Sequence, residues 1–261
     1  MGNTVIETKD LDYTIEDAQI LHSVSIAIEK REFVGLIGPN GCGKSTLLKN
    51  IYRRYKADHG AIYLDGKSMN GMNSKQIARK MAVVVQENTA DFDFSVLEMV
   101  MMGRYAHKKL FQNEAKEDVQ ICEQALRDVG LEKLRDRSFL SLSGGEKQRI
   151  YLAMAFAQQS DIIVLDEPTN HLDIGYQLAM METLRRFQDK TIFTSVHDMN
   201  LAAWFCDRLI VMNHGEIIVT GTPEEVLTPK LIRDVFHVES EVFHRPSDGK
   251  LSVAYLNYVN Q

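Results

Sequence analysis

The stretch "FVGLIGPNGCGKSTLLKNI", residues 33–51, runs from a short apolar segment through a loop holding Gly38, Gly41 and Gly43 into a helical pattern that opens on Lys44. Glycines in such a loop let successive backbone N–H groups converge on one anion without interference from Cβ, and the helix N-terminus adds its positive end. The spacing fits G-x-x-x-x-G-K-[ST], with a buried strand before it and an apolar helix after it, which is the context this pattern requires. Gly38, Pro39, Asn40, Gly41, Cys42 and Gly43 then form a phosphate cradle. Lys44 supplies a point charge for the β- and γ-phosphates, Ser45 holds Mg²⁺, and Thr46 orients the α- and β-phosphates.

Working outward, short apolar runs alternate with helical patterns. "VSIAI" (24–28), "FVGLIG" (33–38), "MAVVVQ" (81–86), "DIIVLDE" (161–167), "TIFTSVH" (191–197) and "RLIVMN" (208–213) read as strands, several apolar enough to be buried on both faces. The expectation is an α/β fold on a mostly parallel sheet. Between Gln86 and Asp161 the pattern turns helical: Ser95 with Glu98 forms a capping box, and Val119, Cys122, Leu126 and Val129 mark a helix face that ends at Gly130. Beyond Thr220, Thr222 reads as an N-cap with Pro223 at N1 and Glu225 at N3, and a second short helix follows Pro229.

The run "DIIVLDEPT" places Asp166 and Glu167 at the carboxyl end of a buried strand, where parallel sheets collect ligands. Asp166 is suited to the Mg²⁺ shell, Glu167 to polarising an attacking water as general base, and Gln86, ending its own strand, to reaching both metal and water. His197 ends a third strand and suits a hydrogen bond to the γ-phosphate; beside this cluster, that reading outweighs a merely structural histidine.

Composition closes off other classes. A chain of 261 residues, 44% apolar and 25% charged, is globular. Its longest apolar stretches fall short of the roughly 18 residues a membrane span needs. "MGNTVIETKD" has no apolar core and carries Ile6 where a myristoylation signal needs Ser or Thr, so neither an export signal nor a lipid anchor is expected. The three cysteines, Cys42, Cys122 and Cys206, are too far apart for a C-x-x-C pair, which fits a reducing cytosol. A net charge of −6 argues against a nucleic-acid surface. Cys42 is the expected reactive thiol, because Lys44 and a helix N-terminus both stabilise a thiolate.

A second glycine pair lies in "LSLSGGEKQR", where Ser143, Gly144 and Gly145 precede an apolar helix. One nucleotide hardly needs two cradles on one chain. The economical arrangement is a two-fold homodimer in which Ser143 of one copy meets the phosphate held by the Lys44 loop of the other.

Taken together, and in this order, Gly38 to Thr46, Gln86, Leu142 to Glu146, Asp166 with Glu167, "NHLD" ending at Asp173, and His197 closely resemble the ATP-binding cassette (ABC) ATPases over nearly the whole chain. The resemblance implies a P-loop NTPase core with an antiparallel β subdomain and an inserted helical lobe, all in one domain. Residues 1–87 and 160–222 would form the nucleotide-binding core, 88–159 the lobe with the signature motif, and 223–261 a C-terminal extension. It implies ATP hydrolysis with Mg²⁺, closure of the dimer on ATP, and communication between the two sites through Asp173. One departure stands out: the adenine-stacking aromatic of the family falls at Ile15, with Tyr13 two residues earlier on the same face, and Tyr13 is the favoured replacement.

The stretch "FDFSVLEMVMMGRYAHKKLF" and the tail "GTPEEVLTPKLIRDVF" look like the importers of ferric siderophores, heme or cobalamin. These imply two permease subunits, an extracytoplasmic substrate-binding protein, and a place on the cytoplasmic face of the membrane, held there by the permease. Phe92, Phe94, Met99, Met101 and Met102 are expected to form an apolar docking surface for a permease helix. The enzyme-class alternative is a soluble cassette of iron–sulfur cluster assembly, and the non-catalytic one is a degenerate scaffold. The scaffold predicts loss of Lys44, Glu167 or His197, and all three are present.

Overall fold

The computed structural model describes residues 3–85, 93–108, 116–170 and 172–259. In chain order the first part holds β1 (Thr4–Ile15), β2 (Ala18–Glu29), β3 (Phe33–Ile37), α1 (Lys44–Ile51), β4 (His59–Leu64) and β5 (Lys67–Ser68). Next come α2 (Ser74–Ala78), β6 (Met81–Val84), α3 (Val96–Met101), α4 (Lys116–Asp128), α5 (Gly144–Ala157), β7 (Ile162–Leu165) and α6 (Ile174–Arg186). The last part holds β8 (Thr191–Ser195), α7 (Met199–Phe205), β9 (Arg208–Asn213), β10 (Glu216–Gly221), α8 (Pro223–Val226), α9 (Pro229–Phe236), β11 (Val238–His244) and β12 (Leu251–Tyr258). The chain divides into two compact units, Met1–Gly71 with Thr191–Gln261, and Met72–Lys190.

In the first unit β3 runs parallel between β9 and β8, with Leu36 opposite Ser195 and Ile37 opposite Val211, while β10 adds antiparallel to β9. All five residues of β3 and of β8 are buried, as in a sheet covered on both faces; β3 is an unbroken apolar run, while β8 carries Thr191, Thr194 and Ser195 into the buried layer around Ile192 and Phe193. The first of the six expected strands behaves differently. "VSIAI" belongs to β2 of an antiparallel sheet ordered β2-β1-β4-β5, where Val24, Ile26 and Ile28 are buried and Ser25 and Ala27 exposed. That period of two is the mark of a sheet covered on one face, and each buried aliphatic there contributes roughly 1.5–3 kcal/mol. Strands β11 and β12 form a separate antiparallel hairpin.

In the second unit β6 and β7 pair in parallel from Met81 with Ile162 to Val84 with Leu165, and the other elements among the described residues are helices. The expected capping boxes are present at Ser95/Glu98 here and at Thr222/Glu225 in the first unit. Cys122 and Leu126 of α4 are buried, and Gly130 ends that segment with φ 72°. Arg104 is buried yet paired: Nε donates to Asp118 Oδ1 at 2.8 Å, and Nη1 to Ala157 O at 2.7 Å and Gln159 Oε1 at 3.0 Å. A buried guanidinium is tolerable only when so paired.

The expected docking surface is corrected at Met99 and Met101, while Phe94 and Met102 are half-buried. Met99 and Met101 are 4% and 5% exposed and fill the core of the helical segment, because α3 is short and turns its apolar side to α4 and α5. Phe92 lies outside the described residues. Among the described residues of this stretch, the exposed aromatic is Tyr105, at 66%. Among the described residues no helix is long and apolar enough to cross a membrane.

Candidate functional site

Strand β3 delivers the chain to Gly38, whose environment leaves no choice of residue: a Cβ there would stand 2.1 Å from the carbonyl oxygen of Met212 and 2.7 Å from Cys42 Sγ. Gly41 and Gly43 adopt φ 78° and 106°, in the left-handed region that side chains resist. The loop is tied to the β9–β10 turn, since Gly215 N–H donates to Cys42 O at 3.0 Å and His22 N–H to Gly215 O at 3.0 Å. Lys44 opens α1 nearly buried, its ammonium donating to Gly38 O at 2.8 Å and Pro39 O at 2.9 Å. A cation is thus held at the mouth of a glycine-lined turn, at a helix N-terminus.

His197 reaches the same edge. It lies two residues beyond Ser195, Gly38 lies two beyond Leu36, and those two residues are register partners. Val196 N–H donates to Leu36 O at 3.0 Å, extending the parallel pairing to the residue before the exposed His197. Asp198 then caps α7, accepting from Asn200 N and Leu201 N at 2.7 and 2.9 Å.

In the second unit β7 ends in Asp166, 3% exposed, whose N–H donates to Val84 O at 2.9 Å. Glu167 follows with φ 53°, an uncommon conformation for a non-glycine residue and one that aims its side chain away from the strand's regular course. Asn170 Nδ2 donates to Glu167 Oε2. Ser143 N-caps α5 in a capping box: Glu146 N–H donates to Ser143 Oγ at 3.3 Å, and Glu146 Oε2 accepts from Ser143 N and Oγ, both at 2.8 Å. These bonds hold the Glu146 carboxyl below its ordinary pKa, the Ser143 backbone N–H contributing most.

The family model described as ABC transporter matches residues 21–170. The chain belongs to the ABC transporter family. It is 38% identical over 248 residues to the iron(3+)-hydroxamate import ATP-binding protein FhuC of Bacillus subtilis strain 168, covering 94% of this chain and 92% of the relative. It is 37% identical over 247 residues to the petrobactin import ATP-binding protein FpuD of Bacillus anthracis, covering 94% and 90%. Among solved structures it matches an inward-facing metal-chelate type ABC transporter with a TM-score of 0.84 at 26% identity, over 98% of both chains. The fold is that of a P-loop ABC ATPase, and the enzyme class is ATPase. The iron–sulfur alternative gains no support from these relatives.

Within the first unit of this ABC ATPase, the loop from Gly38 to Gly43, Lys44 and His197 share one sheet edge. Asp166, Glu167, Ser143, Gly144, Gly145 and Asp173 belong to the second unit, and Gln86 lies outside the described residues. Asp173 is exposed at the start of α6 and makes no side-chain cap bond. Tyr13 is stacked on Tyr55, centroids 5.1 Å apart and planes 8° from parallel, while Ile15 is 42% exposed at the end of β1. The reactivity expected of Cys42 is overturned. Its thiol is 5% exposed, and burial pushes its pKa above the ordinary thiol value despite the opposing pull of Lys44. Two partners escaped the sequence reading: Glu146, legible as the S-x-x-E spacing from Ser143, and Asn170, three residues beyond the carboxylate it holds.

Proposed function

We propose that this chain is the ATP-hydrolysing subunit of a membrane importer that takes up an iron chelate, a ferric siderophore or the related cargoes heme and cobalamin. The observation that carries the reading is the likeness to import ATP-binding proteins over 94% of the chain, which includes the C-terminal segment as well as the nucleotide-binding motifs. Two copies would serve two permease subunits, supplied by an extracytoplasmic binding protein, on the cytoplasmic face of the membrane.

In this reading Gly38, Pro39, Asn40, Gly41, Cys42 and Gly43 wrap the phosphates with backbone N–H groups, and Lys44 trades its loop carbonyls for phosphate oxygens. Among the described residues no group of three or more His, Cys, Asp or Glu side chains could cage a metal. The Ser45 hydroxyl and the buried Asp166 carboxylate, with Gln86, suit Mg²⁺, which keeps several waters and takes few protein ligands alongside substrate phosphates. When bound, that ion supplies charge neutralisation at the phosphates. Thr46 orients the α- and β-phosphates, Glu167 accepts the proton of the attacking water, and Asn170 fixes the Glu167 carboxylate for that task. His197 donates to the γ-phosphate. Ser143, Gly144 and Gly145 of a second copy complete the site, and Asp173 couples the two sites. The base rests at the tip of β1, against the Tyr13 ring with Ile15 beside it.

Complementation tests this reading. Cells lacking their own import ATPase, but keeping the cognate permease, should regain ferric-siderophore uptake with this chain and not with Glu167→Gln. Failure to restore uptake of any hydroxamate or catecholate siderophore, heme or cobalamin, with the protein folded and present, would refute it.

A further inference from the structure

His197 is exposed, and its backbone leads from the strand pairing that ends at Val196 on one side into α7 on the other. A helix of seven residues does not hold itself in water. Leu201 and Ala202 bury one side of α7. Along its other side runs the C-terminal hairpin, through strand β12.

The contacts are specific. Asn200 Oδ1 accepts from Val253 N–H at 2.7 Å, and Asn200 Nδ2 donates to Val253 O at 3.2 Å. The side-chain amide therefore makes the reciprocal pair of bonds that a neighbouring strand would make, so it caps an edge of β12. Two residues earlier on the same edge, Leu251 O accepts from Trp204 Nε1 at 2.8 Å. Arg245 lies 4.2 Å from the Trp204 ring centre, and Lys250 lies 5.3 Å from that of Phe205. Two residues later, Tyr255 is hydrogen-bonded to the Met199 backbone, and burial together with the charge of Asp198 raises its phenol pKa. The hairpin thus touches α7 from its capping residue, next to His197, to its last turn.

We propose that the C-terminal hairpin is a positioning element for His197, with Asn200 as the residue that joins them. Residues 251–255 hold α7 as a rigid extension of the strand edge, and His197 is thereby presented in one orientation at the phosphate end of the cradle. The inference rests on the reading of His197 as the γ-phosphate contact. It assigns Asn200 and Tyr255 no contact with ATP.

Asn200→Ala removes both bonds to Val253, and Tyr255→Phe, at a half-exposed ring, removes only the hydroxyl. In the purified ATPase, Asn200→Ala should lower kcat about tenfold and Tyr255→Phe about threefold, with the Kd for ATP within about twofold of the parent in each. Hydrogen exchange should quicken at amides 197–201 and remain unchanged at 44–48. In a His197→Ala background Asn200→Ala should lower kcat no further, since residues acting as a unit are not additive. Unchanged exchange at 197–201, a loss of ATP affinity instead of kcat, or an undiminished loss in the His197→Ala background would overturn the inference. A His197→Ala enzyme with normal kcat would instead overturn the role of His197, and exchange alone would then decide whether the hairpin fixes α7.

Discussion

Gly38→Ala places one methyl group where the structure has no room, and its cost can be compared with that of the same change three residues later. At Gly38 the new Cβ would sit 2.1 Å from Met212 O, 2.7 Å from Cys42 Sγ and 3.1 Å from Met212 C. A backbone carbonyl cannot swing aside as a side-chain tip can, and Met212 belongs to β9, whose pairing with β3 runs to Val211. Relief requires moving the loop or parting two core strands, an overpacking cost of about 3 kcal/mol. At Gly41 a Cβ meets nothing within 4 Å, and the penalty is only that of φ 78° in an L-residue, about 1 kcal/mol after the entropy gained by restricting the unfolded chain. Urea unfolding followed by circular dichroism should therefore rank Gly38→Ala well below Gly41→Ala, although only Gly41 has the unusual backbone angle. Adding Cys42→Ala to Gly38→Ala should recover only a minor part of the loss, because the carbonyl clash remains. Stability of Gly38→Ala within about 0.5 kcal/mol of the parent would refute the argument that close approach, and not φ, selects glycine there.

Three further outcomes follow from the site. Glu167→Gln should retain ATP binding and lose hydrolysis by at least ~10², whereas Lys44→Ala should fail at binding, as equilibrium dialysis with single-turnover assays will read. Native Cys42 should react with maleimide at least ~10²-fold more slowly than free cysteine at pH 7, because burial both shields the sulfur from the reagent and disfavours its thiolate. Because the folded-state pKa is the raised one, the contribution of this thiol is complete below the unfolded value and is lost as pH rises past it, so Cys42→Ala should flatten the decline in stability above about pH 8.5. Cysteines placed in the Lys44 loop and beside Ser143 should cross-link between chains when ATP is present; exclusively intrachain products would remove the head-to-tail dimer.

Much of this protein was legible before any coordinates, because its decisive features are local. A strand, a glycine turn and a helix start are consecutive in residues 33–51, and backbone conformation there follows from residue type and spacing. The same holds for the unbroken apolar runs of β3 and β7 and for the capping boxes at Ser95 and Thr222, each closed by a partner three residues on. What only the tertiary structure decided depends on residues remote in the chain. The sign of the Cys42 shift came from burial, which outweighs the neighbouring Lys44 charge that the sequence displays. Met99 and Met101 look the same in sequence whether they line a surface or a core, since hydrophobicity gives no direction until α4 and α5 are packed against them. Gly38 is compelled by Met212, and Asn200 is bound to Val253, across separations of 174 and 53 residues, and no periodicity or local propensity carries information over such distances.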